Sequence, residues 1–182
     1  MNLANKISIG RILVIPFFVA SILYYQSNRG ILSYLPLILF SLAVISDGVD
    51  GFIARRFNQK TRLGTILDPI ADKVLLITAY LCLSMAEGLP ADMKLPAWVS
   101  VIVVSRDMVI ILGAIIIYII AGKVEAEPTA LGKMTTFFQM MTIIAVLTHF
   151  RFAYILWSVA VILTIASGID YIIKGSRQLN ET

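Results

Sequence analysis

The chain has 182 residues, of which 59% are hydrophobic, and carries 15 Lys and Arg against 11 Asp and Glu for a net charge of +4. Its mean hydropathy is +0.89. That apolar share is far above that of a soluble domain and too few polar residues remain to cover the long apolar runs, which argues against a water-soluble helical protein. The basic residues sit mostly in short segments between apolar runs. Membrane topology therefore explains them, with anionic headgroups and phosphorylated substrates as natural partners and no nucleic acid. The lone cysteine, Cys82, lies inside an apolar run, so an intrachain disulfide or a cysteine metal site is not available.

Taken in chain order, residues 2–9 mix Asn2, Asn5, Lys6 and Ser8 with Leu3, Ile7 and Ile9, which predicts a short helix lying at the membrane interface. Lys6 and Arg11 ahead of an apolar run resemble a signal sequence, but further apolar runs follow without a clear small-x-small cleavage site, so an uncleaved first span is expected. Six spans are predicted at about 12–25, 31–54, 63–86, 97–121, 131–150 and 153–173. The first is short, and Pro16 is expected to bend it. Gly88, Pro90 and Pro96 mark the loop between the third and fourth. An even number of spans puts both termini on one side. That side holds ten basic residues, Lys6, Arg11, Arg55, Arg56, Lys60, Arg62, Lys123, Lys133, Lys174 and Arg177, against three on the other, Arg29, Lys94 and Arg151. The excess places the termini in the cytoplasm, with the chain in the inner (cytoplasmic) membrane. The expected fold is all-α: a polytopic bundle of six transmembrane helices with a short N-terminal interfacial helix, forming one domain over residues 1–182.

The chemistry concentrates between the second and third spans, in S-D-G-V-D-G-F-I-A-R-R-F-N-Q-K-T-R-L-G-T-I-L-D-P-I-A-D-K, residues 46–73. Carboxylates at the edge of a bilayer are expensive and are rarely kept without a partner. Asp47 and Asp50 are three apart and Asp68 and Asp72 four apart, so each pair shares a helix face. An antiparallel helix pair brings the two faces together across about 8–10 Å. Four like charges in that volume repel unless cations intervene, and oxygen-only ligands suit Mg²⁺ or Mn²⁺. Four carboxylates suffice to bridge two ions. Gly48, Gly51 and Gly64 let a bulky ligand approach the backbone, Ala54 extends the small face, and Arg55 offers a fork of donors suited to phosphate. Such a cleft fits a pyrophosphate. Two other readings compete: simple pairing of the aspartates with Arg55, Arg56, Arg62 and Lys73, and the ion site of a non-enzymatic transporter. The transporter is disfavoured because its charges belong nearer the bilayer centre.

The spacing D-x2-D-G-x2-A-R-x8-G-x3-D-x3-D is met in full by Asp47, Asp50, Gly51, Ala54, Arg55, Gly64, Asp68 and Asp72. With these eight positions, the length and the six expected spans, the chain resembles the CDP-alcohol phosphatidyltransferase family over nearly its whole length. The resemblance implies a homodimeric membrane enzyme that cleaves the pyrophosphate of CDP-diacylglycerol, transfers the phosphatidyl group to an acceptor hydroxyl and releases CMP. It implies Asp47, Asp50 and Asp68 as metal ligands and Asp72 near the metals as the general base. Asp47, Asp50, Gly51, Ala54, Arg55, Gly64 and Asp68 would line the nucleotide and diphosphate site. Lys73 abuts the base, where it would tune its pKa or anchor the helix end.

The opening N-K-I-S-I-G-R-I is similar to the start of the phosphatidylglycerophosphate synthase and cardiolipin synthase branches, where Asn5 and Arg11 match positions near the site. Interfacial capping and topology are the plain alternative for both. Arg106 and Asp107 fall about ten residues into the fourth span, a depth at which charges face the bundle interior or a water-filled pocket. Arg106 is a candidate for holding an acceptor phosphate, with a structural ion pair as the alternative. Lys133, followed by Thr135, Thr136 and Gln139, is another. Many phosphatidylglycerophosphate synthases carry R-E and G-K-x-K-T-x-x-Q here. Asp107 replaces the glutamate and Thr135 the second lysine, which leans toward cardiolipin synthases that use phosphatidylglycerol. Glycerol 3-phosphate is kept as the first acceptor because that role is commoner for a short chain of this kind. His149 is expected at the surface opposite the aspartates, and Asp170 is placed to reach Lys174 four residues on.

Overall fold

A computed structural model describes residues 3–25, 30–56, 62–87, 89–121 and 129–180, with side chains described for 10–25, 30, 32–46, 71–87, 89–113 and 129–176. Among these residues all regular structure is helical and there is no strand. Six α-helices follow one another: α1 (Leu3–Leu23), α2 (Leu35–Arg56), α3 (Arg62–Met85), α4 (Ala97–Ala121), α5 (Ala130–Leu147) and α6 (Ala153–Asn180), with short 3₁₀ turns at Gly30–Tyr34 and Ala91–Met93. Among the described residues three helical stretches, carried by α4, α5 and α6, are long and apolar enough to cross a membrane, and Gly10–Leu23 and Leu32–Ser46 are shorter apolar helices. The chain is a helical membrane protein. The separate interfacial helix expected at residues 2–9 is not a distinct element. From Leu3 the backbone runs as one helix through Pro16 to Leu23.

Packing follows the helical period. Among the described residues of α1 the buried ones are Arg11, Ile15, Phe18 and Ile22, a stripe of i, i+4, i+7 and i+11. Among the described residues of α3 the fully buried set is Ala71, Leu75, Leu76, Ala79, Tyr80 and Leu83. Phe18 meets Phe40 of α2 with ring centroids 5.9 Å apart. Among the described residues the broadest contact of α2 and of α3 is with α1, so the first helix is their common wall rather than a peripheral strut.

The other half is an α5–α6 hairpin with α4 laid along α6. Thr129 caps α5, its hydroxyl accepting from the Gly132 amide at 3.1 Å. A buried polar seam joins the hairpin. The Thr135 hydroxyl donates to the Leu131 and Leu163 carbonyls at 2.8 and 3.1 Å, and Gln139 Nε2 donates to the Thr164 hydroxyl at 3.2 Å. Tyr80 and Ser100 extend the seam to α3 and α4, through Tyr80 to the Gln139 carbonyl at 3.4 Å and Ser100 to the Tyr80 carbonyl at 2.9 Å.

At its C-terminus α5 closes in a Schellman arrangement: the Phe150 amide donates to the Ala145 carbonyl and the His149 amide to that of Val146. His149 takes the left-handed position usually given to glycine, with φ +55°. Its ring compensates. Nδ1 donates to the Asp92 carboxylate, and Nε2 lies 3.2 Å from the Tyr25 hydroxyl. Three segments distant in sequence meet there at one exposed histidine, on the surface as expected. The His149 hydrogen bond holds the Asp92 carboxyl below its ordinary value.

Candidate active site

Asp72 and Lys73 sit side by side on α3, where the helix leaves the acidic motif and enters the apolar core. Asp72 is half-buried, with its Oδ1 oxygen inside the protein. Lys73 turns toward α4, and its Nζ donates to Asp107 Oδ1 at 2.8 Å. The same oxygen accepts from Arg106 Nη1 at 2.7 Å. Arg106 Nη2 donates to the Ser167 hydroxyl, and the guanidinium lies over the Tyr171 ring, 5.5 Å from its centroid. The Asp107 side chain is 0% exposed, Arg106 7% and Lys73 23%. Two cations and one carboxylate thus tie α3, α4 and α6 together beside Asp72, with a net positive charge.

The other basic candidates differ in setting. Arg11 is 2% exposed and continues the stripe by which α1 faces the protein interior. Burying a guanidinium there is costly unless anionic groups share the space. Lys133 is exposed in the first turn of α5, next to Gly132, where an added Cβ would stand 3.3 Å from the Tyr171 hydroxyl. Lys133 therefore sits at the same end of the bundle as Arg106. Thr135 and Gln139, by contrast, are committed to the α5–α6 seam. The expected Asp170–Lys174 pair is present at 2.8 Å.

Asp47, Asp50, Gly51, Ala54 and Arg55 lie on the last turns of α2, and Gly64 and Asp68 on the first turns of α3. Their side chains, and that of Asn5, lie outside the described residues. Both segments are helical, so the i, i+3 and i, i+4 spacings needed for paired carboxylates hold. Among the described residues no group of three His, Cys, Asp or Glu is arranged around a metal. What fits a hard divalent cation is the donor set itself, two acidic pairs on helical segments, with a buried carboxylate oxygen at Asp72.

The family model for CDP-alcohol phosphatidyltransferase matches residues 1–166. The chain belongs to the CDP-alcohol phosphatidyltransferase family. It is 33% identical to a CDP-diacylglycerol–glycerol-3-phosphate 3-phosphatidyltransferase of Aquifex aeolicus (strain VF5), over 98% of both chains. The protein of that name in Bacillus subtilis (strain 168) is 32% identical over 98% of this chain and 97% of its own. A probable phosphatidylglycerophosphate synthase of Mycobacterium tuberculosis (strain ATCC 25618 / H37Rv) is 30% identical over 98% of this chain and 83% of its own. The eight positions of the expected motif lie on α2 and α3. Ser167 and Tyr171, which hold Arg106, were missed. The signal was there: Thr164, Ser167 and Tyr171 are polar or amphipathic at i, i+3 and i+7 of an otherwise apolar helix.

Proposed function

We propose that this protein transfers the phosphatidyl group of CDP-diacylglycerol to the hydroxyl of glycerol 3-phosphate, releasing CMP. The observation that carries this reading is near full-length similarity to proteins named for that reaction, in a chain whose eight-position motif falls on α2 and α3. The acceptor oxygen attacks the phosphatidyl phosphorus in line, a P–O bond forms, and the bond to the CMP phosphate breaks with CMP taking the electron pair. Asp72 accepts the hydroxyl proton; an aspartate is a weak base, so its orientation matters as much as its basicity. Asp47, Asp50, Asp68 and Asp72 would hold Mg²⁺ or Mn²⁺, two ions by the number of carboxylates. When bound, these ions supply charge neutralisation at the diphosphate. Gly51, Ala54, Arg55 and Gly64 complete the nucleotide side, with Arg55 on the diphosphate. Asn5, Arg11, Arg106 and Lys133 serve the acceptor. Of Arg106's nitrogens, Nε is the one without a hydrogen-bond partner among the described residues. The protein works as a homodimer with six spans in the inner (cytoplasmic) membrane, its termini and motif facing the cytoplasm, as the ten-to-three basic excess favours.

Cardiolipin synthesis with phosphatidylglycerol as acceptor is the second reading, favoured by Asp107 and Thr135 at the two positions that depart from the glycerophosphate pattern. The deciding experiment supplies purified protein with CDP-diacylglycerol, Mg²⁺ or Mn²⁺ and each acceptor in turn, and reads CMP release. Release with glycerol 3-phosphate and not with phosphatidylglycerol is expected. The reverse preference assigns the second reading, and silence with both acceptors alongside ion flux in liposomes assigns a transporter.

A further inference from the structure

We infer that Asp107 is a positioning residue for the reaction: by anchoring Lys73 it fixes the rotation of α3 that presents Asp72. The inference rests on the proposed role of Asp72 as base. Lys73 and Asp72 are consecutive on one helix, so any rotation of α3 that carries Lys73 away from Asp107 carries Asp72 with it. The anchor is built to resist such rotation. Asp107 is wholly buried, and the oxygen that receives Lys73 also receives Arg106. Arg106 is held in turn from α6 by Ser167 and by the ring of Tyr171. Helix α3 is therefore referenced to two other helices, at the residue next to the base.

Stability alone does not account for the arrangement. Three charged groups at the interior of an apolar bundle carry a desolvation cost, and well-packed apolar side chains of similar volume often hold helices together as well or better. Lys73 would also face less cost at the interface with its ammonium in water. A tether that spends a buried carboxylate on a half-buried lysine makes sense where direction matters. A misplacement of about 1 Å at a reacting group can cost about 100-fold in rate.

The test compares Lys73→Met, Lys73→Arg and Asp72→Asn in the full-length protein, by steady-state kinetics and by Mn²⁺ affinity from electron paramagnetic resonance. Lys73→Met should lower kcat by about tenfold or more with KM for both substrates changed less than about twofold. Lys73→Arg, which keeps a donor for Asp107, should recover most of it. In Mn²⁺ binding, Lys73→Met should weaken affinity in the native background and add nothing in the Asp72→Asn background, because its effect runs through that carboxylate. Additive losses in binding, or a raised KM at unchanged kcat, would overturn the inference, as would a Lys73→Met protein with lowered thermal stability and normal kcat. The underlying reading fails separately, if Asp72→Asn itself turns over normally.

Discussion

The two ends of the bundle solve the same problem, joining helices through polar groups, in opposite ways. At one end Lys73, Asp107 and Arg106 form ion pairs in the interior. At the other Tyr25, His149 and Asp92 meet in a chain of hydrogen bonds open to solvent. A buried pair is costly to assemble and costlier to break, since removing one partner strands the other in a low dielectric. An exposed one is screened and nearly dispensable. On the proposed role of Asp72, the contrast separates an end that sets geometry for chemistry from one that closes the fold.

Substitutions can break that contrast, beginning where the effect is greatest. Asp72→Asn should reduce CMP release by at least about 100-fold, the scale of a lost general base, with an unchanged melting temperature in detergent. Asp107→Leu should destabilise by about 3–5 kcal/mol in denaturant titrations, because Arg106 stays buried without its carboxylate. The double variant Arg106→Leu/Asp107→Leu should regain most of that stability and none of the activity. Gln139→Leu tests the polar seam between the ends, and should cost no more than about 1 kcal/mol, as is typical of hydrogen bonds between membrane helices.

The exposed end should respond least. His149→Gly loses two hydrogen bonds but relieves a left-handed residue of roughly 1–2 kcal/mol, so it should fall near neutral, with His149→Ala clearly worse. The hydrogen bond from His149 holds the Asp92 carboxyl below its ordinary value of 3.8. Its contribution is therefore complete above that value and fades as pH falls through the lowered one. Melting temperatures at about pH 5 and about pH 3 should differ less in His149→Gly than in the native protein.

Much of this was legible from the residues. Apolar run lengths located all six helices, with α4 at 97–121 as expected and α6 continuing past residue 173 to Asn180. The acidic motif was readable because its chemistry is local: eight positions within 26 residues, on spacings that a helix turns into faces. Partner choice was not readable. A helix that is apolar nearly all round carries no mark of which side meets protein, so the central place of α1 against both α2 and α3 had no periodic signature. The isolated pair Arg106–Asp107 was visible, but Lys73 as its third member was not, because that contact joins residues 34 apart. The His149 junction gathers residues 57 and 124 positions away, beyond any local pattern.

The place of α1 has a consequence for biogenesis. Chains are threaded into membranes as they are synthesised, earliest segment first. Of the six helices α1 emerges before the others, and the two motif-bearing helices that follow arrive to find their shared seat already laid. Delay or loss of that opening helix would deprive both of a docking surface in one stroke, leaving their carboxylates to be inserted without a scaffold.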